Sequence, residues 1–209
     1  MFTDKSIKEF LDDLAAKKST PGGGGAAALV GSLAAALTSM VANFTVDKKG
    51  YEENWQDIST TLEQAEELRF KLTELIDLDA KVFDELMAVY KMPKDTDEEK
   101  TKRTQALMEK AKSAALVPMH IARYAVNIQR LALTTLKKGN RDLESDAILS
   151  GILGRAALRS ASYNVLINLK IVKDEVYNKT VKQELQDLLR QGEELEKEII
   201  LLSENNFSL

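Results

Sequence analysis

The sequence predicts an all-α protein, a single-domain bundle of about six mostly long helices that covers residues 1–209. Apolar side chains recur at spacings of three and four along almost the whole chain, which is the period of an amphipathic helix. Only three prolines and ten glycines interrupt this pattern. No window alternates with a period of two for long, and no hairpin signal of the Asn-Gly type occurs, so we expect no sheet.

The first half of the chain divides into three predicted helices. Thr3 or Asp4 can cap the first helix, and a loop over residues 19–25 separates it from a second helix that runs to about Asp47. A third helix is expected over about residues 54–89. The predicted core positions are Ile7, Phe10, Leu11 and Leu14 in the first helix and Ile58, Leu62, Ala65, Leu68, Leu72, Leu75, Val82, Phe83 and Leu86 in the third.

A fourth helical region is expected to start near Asp97, after a break at residues 91–94 that contains a proline. The acidic residues at its start suit the positive end of a helix dipole. Pro118 is expected to kink or split this region, and Gly139 is expected to end it.

Two further helices complete the predicted bundle. Asn140 is a good cap for a fifth helix, which the apolar spacing continues to about Val176. A last amphipathic helix is expected over about residues 180–203.

Composition limits the chemistry that the chain can perform. The sequence has no cysteine and one histidine, His120, which excludes disulfides, thiolate nucleophiles, cysteine zinc sites and paired-histidine metal motifs. No set of Asp and Glu residues has the spacing of a calcium loop or a di-iron bundle, so we expect no metal. A lone histidine such as His120 is more often a packed or surface residue than a catalyst. Chemistry is therefore expected from carboxylates, amides, hydroxyls, lysines and backbone dipoles.

The lack of a signal-peptide pattern and of cysteine favours a cytoplasmic location, and the charge pattern limits the partners. The formal net charge is −4 with acidic and basic residues interspersed, which argues against nucleic acid or an anionic membrane as the main partner. No basic region followed by an apolar stretch opens the chain, so we expect no signal peptide. Residues 19–46 carry no charge but are rich in Ala and Gly, which favours a buried helix over a membrane span.

A run of four glycines at the start of the second helix is the strongest signal for a site. The segment reads Thr20-Pro21-Gly22-Gly23-Gly24-Gly25-Ala26. Consecutive glycines leave backbone N–H groups uncovered, and a helix N-terminus adds unpaired donors and partial positive charge. Such a corner suits a carboxylate, a phosphate or a ring carbonyl. The alternative is a tight turn where two helices approach closely.

Asp79 is the second signal, because its neighbours at helical spacing are apolar. They are Leu72, Leu75, Ile76, Phe83 and Leu86. A carboxylate on such a stripe is costly to bury unless it is paired, and desolvation raises its pKa toward the range useful for proton transfer. The alternative is a satisfied structural carboxylate.

Two helix faces combine small and polar residues. The fifth helix carries Asp146, Ser150, Ala157, Ala161, Asn164 and Asn168 on one face, and the second carries Ala27, Gly31, Ala35, Ser39 and Asn43. Asn side chains offer donors and acceptors that suit an amide-and-amine heterocycle. The alternative is helix packing within one subunit or across a dimer. Arg155 and Arg159 are one turn apart and are expected to be solvated rather than to bind an anion.

The motifs together resemble the formiminotransferase-cyclodeaminase family, specifically its cyclodeaminase/methenyltetrahydrofolate cyclohydrolase domain. The resemblance rests on residues 19–28 with 39–45, 79–83 with 91–94, 117–118, 139–140 with 145–146, and 164–169. These segments spread in the right order over about residues 5–175, which makes the match far more specific than the glycine run alone.

The resemblance implies an all-helical homodimer that acts on reduced folates without a metal or redox cofactor. One family reaction closes 5-formimino-tetrahydrofolate to 5,10-methenyl-tetrahydrofolate and releases ammonia. The other hydrolyses the methenyl bridge to 10-formyl-tetrahydrofolate. Cyclodeamination is our first expectation and hydrolysis is the alternative.

Either reaction needs an acid or a base and passes a positively charged centre that a carboxylate stabilises. Asp79 and Asp146 are our candidates for these roles. The candidates for binding the folate are Thr20, Pro21, Gly22, Gly23, Gly24, Gly25, Asn43, Asn164 and Asn168, with Lys94 near the glutamate tail. The rivals from other classes are a non-catalytic helical dimerisation module and an anion-binding regulator that uses the glycine corner.

Overall fold

The computed structural model describes residues 1–207 and consists of helices joined by short connections. The α-helices are α1 (Ile7–Ala15), α2 (Gly23–Asn43), α3 (Trp55–Tyr90), α4 (Asp97–Lys138), α5 (Glu144–Leu169) and α6 (Glu175–Phe207). Short 3-10 turns lie at Phe2–Asp4, Glu52–Asn54 and Arg141–Leu143. The described part of the chain contains no strand, which confirms the all-α fold class with six helices.

The second helix, α2, packs against α3 and α5 and runs antiparallel to both. Its first turn contacts Asp79 of α3 and Asn164 of α5, and further along Gly31 contacts Leu72 and Ala157. A Cβ atom at Gly31 would lie 3.1 Å from Leu72 Cδ2, so glycine is what permits this close approach. Helix α4 packs on α3 and α5, and α6 packs across α4 and α5.

The small-residue face of α2 is used inside the subunit. Ala27, Gly31, Ala35 and Ser39 are buried, whereas Asn43 at the end of the series is exposed. The structure therefore favours helix packing within one subunit for the buried part of this face.

One apolar core runs along the bundle between α2, α3, α4 and α5. Its largest fully buried side chains include Leu72, Ile121, Ile128, Leu158 and Val165. Burial of each such side chain stabilises the fold by roughly 1.5–3 kcal/mol. A smaller cluster contains Leu86, Ala111, Ala114 and Val172. The predicted stripe of α3 is confirmed for most of its length, but Leu62, Val82 and Phe83 are only half-buried.

The start of the first helix differs from the prediction. Ser6 rather than Thr3 or Asp4 caps α1, in a capping box with Glu9. Thr3 instead donates from Oγ1 to Asp77 of α3 at 2.6 Å. The prediction that Ile7 and Leu11 belong to the core is wrong within the subunit, because both are exposed and only the Phe10 side of α1 faces the bundle.

Both ends of α2 also differ from the prediction. The helix begins at Gly23, inside the segment predicted as a loop, because a carboxylate from α3 satisfies its first turn. It ends at Asn43 instead of about Asp47. Thr45 turns back to donate to the Val41 carbonyl at 2.7 Å, and Asp47 adopts a left-handed φ of 60° that a helix cannot continue.

The later helices follow the prediction except at three points. Helix α4 starts at Asp97 and is not split at Pro118, since one continuous helix passes through this proline. Asn140 caps the short turn before α5 rather than α5 itself. Helix α5 ends at Leu169 and α6 begins at Glu175, because the Asp174 carboxylate accepts from the Tyr177 N–H at 3.0 Å and so caps α6.

Helix α2 is the one helix within residues 1–207 that is long and apolar enough to cross a membrane by length and composition. Its apolar window is 61% buried against the rest of the protein. This burial is what the core helix of a bundle shows, and it agrees with the predicted preference for a buried helix over a span.

Candidate active site

A cavity of about 290 Å³ opens where the first turn of α2 meets α3 and α5. Its lining consists of Ser19, Thr20, Gly22, Gly23, Gly24, Asp79, Val82, Phe83, Leu86, Met87, Ala114, Asn164, Ile167, Asn168 and Ile171. One end is polar, with a carboxylate, two amides and glycine backbone, and the rest is apolar. A mostly apolar cavity with a few convergent polar groups is typical of a small-molecule site.

The carboxylate of Asp79 caps α2 from a neighbouring helix. Gly22 occupies the N-cap position and has no side chain to accept a hydrogen bond, and Asp79 Oδ2 accepts from the Gly25 N–H at 2.9 Å. A capping side chain normally accepts from this same third position of the helix. Asp79, 54 residues further along the chain, therefore does what a Ser or Asp at position 22 would do.

Gly24 allows the carboxylate to lie against the helix. A Cβ atom built at Gly24 would overlap Asp79 Oδ1, whereas one built at Gly22 would have no atom within 4 Å. The glycine run thus has two different parts. Gly24 makes room for the carboxylate, whereas Gly22 lines the cavity where a side chain would meet open space.

Asp79 is poised to carry a proton. Burial raises the pKa of Asp79 above its usual range, and the hydrogen bond from the Gly25 N–H opposes this rise without cancelling it. The carboxyl group is therefore easier to protonate than a solvated aspartate, as a proton donor near neutral pH requires.

Two asparagines of α5 complete the polar end of the cavity. Asn164 donates from Nδ2 to the Ser160 carbonyl at 2.9 Å, and its Oδ1 would lie 3.5 Å from a Cβ on Gly23. Asn168 donates from Nδ2 to two carbonyls, those of Ala114 and Asn164. The structure thus brings Asp79, Asn164, Asn168 and the glycine corner together, as the sequence predicted.

Other predicted site residues lie outside this cavity. Asp146 is 18 positions before Asn164 on α5, which places it about 27 Å away along the helix. Asn43 shares that distant end and is exposed. Lys94 is exposed in the α3–α4 loop and is not part of the lining. One chain therefore does not bring Asp146, Asn43 or Lys94 to the cavity.

Pro21 and Gly25 support the corner from behind rather than lining it. Pro21 is buried, and its Cβ would lie 3.8 Å from a Cβ on Gly25. The Thr20–Pro21 peptide bond is cis.

The apolar wall contains residues that the sequence reasoning did not assign to the site. Val82, Phe83 and Leu86 were predicted as core, while Met87, Ala114, Ile167 and Ile171 were not assigned. The available signal was their spacing, because Val82, Phe83 and Leu86 follow Asp79 by three, four and seven positions and so share its face.

The remaining candidates have structural surroundings. Half-buried His120 lies beside Tyr124, with ring centroids 5.9 Å apart, and burial lowers the pKa of this imidazole, helped by nearby Arg123. It does not line the cavity. Arg155 donates to the Leu189 carbonyl and pairs with Glu196, while Arg159 is exposed. Across the described residues, no three Asp, Glu or His side chains are grouped to hold a metal ion.

Comparison with known proteins gives one consistent family. The family model for formiminotransferase-cyclodeaminase matches residues 6–187. Methenyltetrahydrofolate cyclohydrolase from Methylorubrum extorquens is 41% identical over 199 residues, which cover 95% of this chain and 96% of that protein. Formimidoyltransferase-cyclodeaminase from Sus scrofa is 31% identical over 192 residues, which cover 90% of this chain but 35% of that protein.

A solved structure agrees with these relatives. The crystal structure of formiminotetrahydrofolate cyclodeaminase from Thermotoga maritima superposes with a TM-score of 0.88 at 35% identity, covering 97% of this chain and 98% of that one. The matched region includes the whole cavity, from the glycine corner to Ile171. The chain therefore belongs to the formiminotransferase-cyclodeaminase family and is an enzyme of folate one-carbon metabolism, a cyclodeaminase or a cyclohydrolase.

Proposed function

We propose that the chain closes 5-formimino-tetrahydrofolate to 5,10-methenyl-tetrahydrofolate and releases ammonia. The observation that carries this choice is the partly buried carboxyl of Asp79, whose pKa is raised and which lies in the cavity wall against the first turn of α2. A carboxyl with a raised pKa holds its proton to higher pH than a solvated aspartate, which suits it to protonate a departing amine.

The proposed reaction needs proton transfer and one exchange of C–N bonds. Nitrogen N10 attacks the formimino carbon and forms the second C–N bond of the ring, and the proton of N10 is released. The exocyclic nitrogen gains protons, its bond to carbon breaks, and it leaves as ammonia while the ring keeps a positive charge. Asp79 supplies a proton to the departing nitrogen and, once ionised, stabilises the cationic ring. No metal or redox cofactor takes part in these steps.

The polar end of the cavity offers complementary groups to a reduced pterin. The oxygens of Asn164 and Asn168 are acceptors for ring N–H groups, and the backbone N–H groups of the glycine corner are donors for a ring carbonyl. The apolar wall of Val82, Phe83 and Leu86 suits the flat ring faces. Lys94, near the cavity-forming end of α3, remains our proposed contact for a glutamate tail.

A homodimer is part of the proposal because α2 presents an uncharged apolar face away from the bundle. Along this face Leu33 is 49% and Phe44 is 60% exposed. A two-fold dimer uses one patch on both subunits. With the axis across the middle of α2, the Asn43 end of each helix lies beside the Gly23 end of the other. The partner subunit's Asp146 is then the second carboxylate of the site.

Mixing two inactive variants tests this shared site. Asp79→Asn and Asp146→Asn are each expected to lower activity strongly. When they are unfolded and refolded together, about half of the dimers are mixed, each with one intact site, so about a quarter of wild-type activity is expected to return. A monomer in light scattering, or no recovery on mixing, would refute the shared site while leaving the role of Asp79 open to separate test.

Hydrolysis of 5,10-methenyl-tetrahydrofolate to 10-formyl-tetrahydrofolate is the second candidate. The observation that favours it is the 41% identity, over nearly the full length of both chains, to a protein named methenyltetrahydrofolate cyclohydrolase. In this reaction ionised Asp79 or Asp146 would accept a proton from the attacking water.

Separate assays with each purified folate decide between the two reactions, because 5,10-methenyl-tetrahydrofolate is the product of one and the substrate of the other. Its absorbance rises during cyclodeamination and falls during hydrolysis. We expect the rise to dominate with 5-formimino-tetrahydrofolate. A fall with the methenyl compound and no rise with the formimino compound would select the cyclohydrolase, and no change in either would reject both.

The cellular setting follows from the same features. We infer a cytoplasmic enzyme whose partners are a reduced folate and a second copy of the chain, since the net charge of −4 does not suit nucleic acid or an anionic membrane. The non-catalytic dimerisation module is disfavoured because it leaves a partly buried, desolvated carboxyl in a cavity without a purpose.

A further inference from the structure

Pro118 lies inside α4, four residues after Ala114 in the cavity wall, and none of the proposed chemistry uses it. A proline has no backbone N–H, so residue 118 cannot donate the helical hydrogen bond to the Ala114 carbonyl, and its ring crowds that carbonyl. Pro118 is buried and the helix continues through it. A proline in a helix interior lowers helix stability, so we expect Pro118 to serve another purpose in the protein.

Asn168 of α5 uses the carbonyl that Pro118 leaves without its helical donor. Its Nδ2 donates to the Ala114 carbonyl at 3.2 Å and to the Asn164 carbonyl at 2.9 Å. The amide nitrogen carries two hydrogens, so the protein uses both. Because carbonyls only accept, these two bonds also determine which end of the side-chain amide is nitrogen and which is oxygen.

The consequence for the cavity is that Asn168 contributes only an acceptor. Its Oδ1 accepts no hydrogen bond from any other residue in the described part of the chain, and Asn168 belongs to the cavity lining. A freely rotating amide would offer a donor and an acceptor equally. A fixed one discriminates, because it accepts from ring N–H groups and has no hydrogen for a ring carbonyl.

We propose that Pro118 is a positioning residue that withholds a donor from the Ala114 carbonyl, so that Asn168 docks there and presents its oxygen to an N–H group of the substrate ring. The identity of that ring as a reduced pterin rests on the proposed function. The docking of Asn168 rests on the contacts alone. The two parts therefore need separate measurements.

The experiment is a double-mutant cycle with Pro118→Ala, Asn168→Ala and the combined variant. Pro118→Ala restores an N–H that competes for the Ala114 carbonyl. We expect it to raise KM for the folate by about fivefold to tenfold, the value of about one hydrogen bond, with kcat changed less than about twofold. Thermal stability is expected to stay the same or rise, since alanine suits a helix interior better. Ser113→Ala, at an exposed position of α4 next to Ala114, is the matched control and should change neither constant.

The cycle shows whether Pro118 acts through Asn168. If it does, Pro118→Ala has no further effect once Asn168 is alanine, because the side chain that it positions is gone. The proposal would be overturned if the increases in KM from the two single substitutions multiplied in the combined variant. It would also be overturned if Pro118→Ala alone left KM at the wild-type value.

A second readout is independent of folate. In nitrogen-15 NMR spectra of the free protein, the two side-chain amide hydrogens of Asn168 are expected to exchange with water about tenfold faster in Pro118→Ala than in wild type, since one bond is lost. Unchanged exchange would overturn the docking role even if the wild type turns over folate. If the wild type neither binds nor converts reduced folates, the proposed function fails, and the exchange rates still decide the positioning role.

Discussion

The two ends of α2 carry similar residue types but differ in how far their polar groups are satisfied. At the Asn43 end, Thr38 and Ser150 share a hydrogen bond of 2.7 Å, and Ser150 donates on to the Ala34 carbonyl. Nearby, Thr45 accepts from the Asn140 N–H at 2.9 Å. Each of these three buried hydroxyls has a protein partner, so the Thr38–Ser150 and Thr45–Asn140 contacts act as structural joints.

At the Gly23 end, the polar groups are only partly satisfied by protein. Asp79 accepts a hydrogen bond from Gly25 yet has a raised pKa, and the oxygens of Asn164 and Asn168 are left for a ligand. The comparison shows that a pattern of Asn, Asp and Ser at helical spacing does not by itself distinguish a joint from a reactive site. What distinguishes them is how many polar atoms lack a hydrogen-bond partner within the protein and can therefore bind a ligand.

Of the substitutions that compare the two ends of α2, Asp79→Asn should have the largest effect on activity. We expect Asp79→Asn to lower kcat/KM by about 10²–10⁴-fold, because the proton donor is lost. Asn retains an oxygen that can accept from the Gly25 N–H, so folding should be preserved. Steady-state rates together with circular dichroism make this measurement, and a rate within about threefold of wild type would remove Asp79 from the mechanism.

The same variant has a stability signature with a definite sign. Burial raises the pKa of Asp79 above the value of 3.8 expected in the unfolded chain, so the ionised form destabilises the folded state. Asp79→Asn should therefore be more stable than wild type at pH 7. The difference should shrink as the pH falls through the raised pKa and vanish below about 3.8. Urea unfolding of both proteins across this pH range tests the prediction. A stability difference that grew at low pH would show that the pKa of Asp79 is lowered in the folded state.

Gly24→Ala should have the next largest effect, because the new methyl group would overlap Asp79 Oδ1. Displacement of the carboxyl by about 1 Å is expected to cost about 10²-fold in kcat/KM. Gly22→Ala is the control, because a methyl group at this position would meet no atom within 4 Å. It should lower kcat/KM by less than about threefold. Equal losses in the two variants would mean that the corner acts through glycine flexibility instead of through space for Asp79.

For the Thr38–Ser150 contact we expect the opposite result, in which a substitution lowers stability and leaves activity unchanged. Thr38→Val removes a fully buried hydroxyl that bonds to Ser150 while keeping the shape of the side chain. We expect a loss of about 1–2 kcal/mol in the free energy of unfolding and kcat/KM within about twofold of wild type. Thermal unfolding and steady-state kinetics measure the two quantities. A large loss of activity without loss of stability would show that Thr38 itself acts in catalysis, beyond the role proposed for the partner subunit's Asp146.

The smallest effect is expected at the surface of the same end. Lys48 donates to Asn140 at 2.6 Å and pairs with Asp142 at 3.0 Å, and the latter carboxylate is largely exposed. Lys48→Met should change the free energy of unfolding by less than about 1 kcal/mol, with a smaller difference at high salt. A larger, salt-independent loss would mean that the Asn140 bond, not the ion pair, stabilises this corner.

Much of the fold follows from local signals in the sequence. Helix α3 begins and ends within one residue of its predicted limits, and α4 begins at the predicted Asp97, because their boundaries depend on nearby caps and breaks. The inward position of Asp79 and the shared face of Asn164 and Asn168 follow from helical periodicity alone. Periodicity could therefore place each of these three residues on a face of its own helix, but could not show that the two helices bring them to one cavity.

The sequence-based predictions are wrong where a structural feature depends on a residue that is distant in sequence. The start of α2 within the glycines depends on Asp79 from another helix, and the role of Thr3 depends on Asp77. The separation of Asp146 from Asp79 was also invisible, because the family motifs contain both residues without saying whether one subunit or two bring them together. Position along a helix can be predicted from periodicity, whereas contacts between helices cannot.

The remote cap on α2 has a consequence for how this enzyme can change by mutation. Three consecutive glycines make the first turn of α2 intrinsically unfavourable by about 2–3 kcal/mol relative to alanine, so its helical form depends on a carboxylate from elsewhere. Alanine at position 24 would strengthen the turn but displace the acid, and a side chain without an acceptor at position 79 would leave the weak turn uncapped. Neither partner has a neutral replacement while the other remains. Changes at this corner must therefore preserve both the space at position 24 and an acceptor at position 79, which couples the stability of α2 to the proposed proton donor.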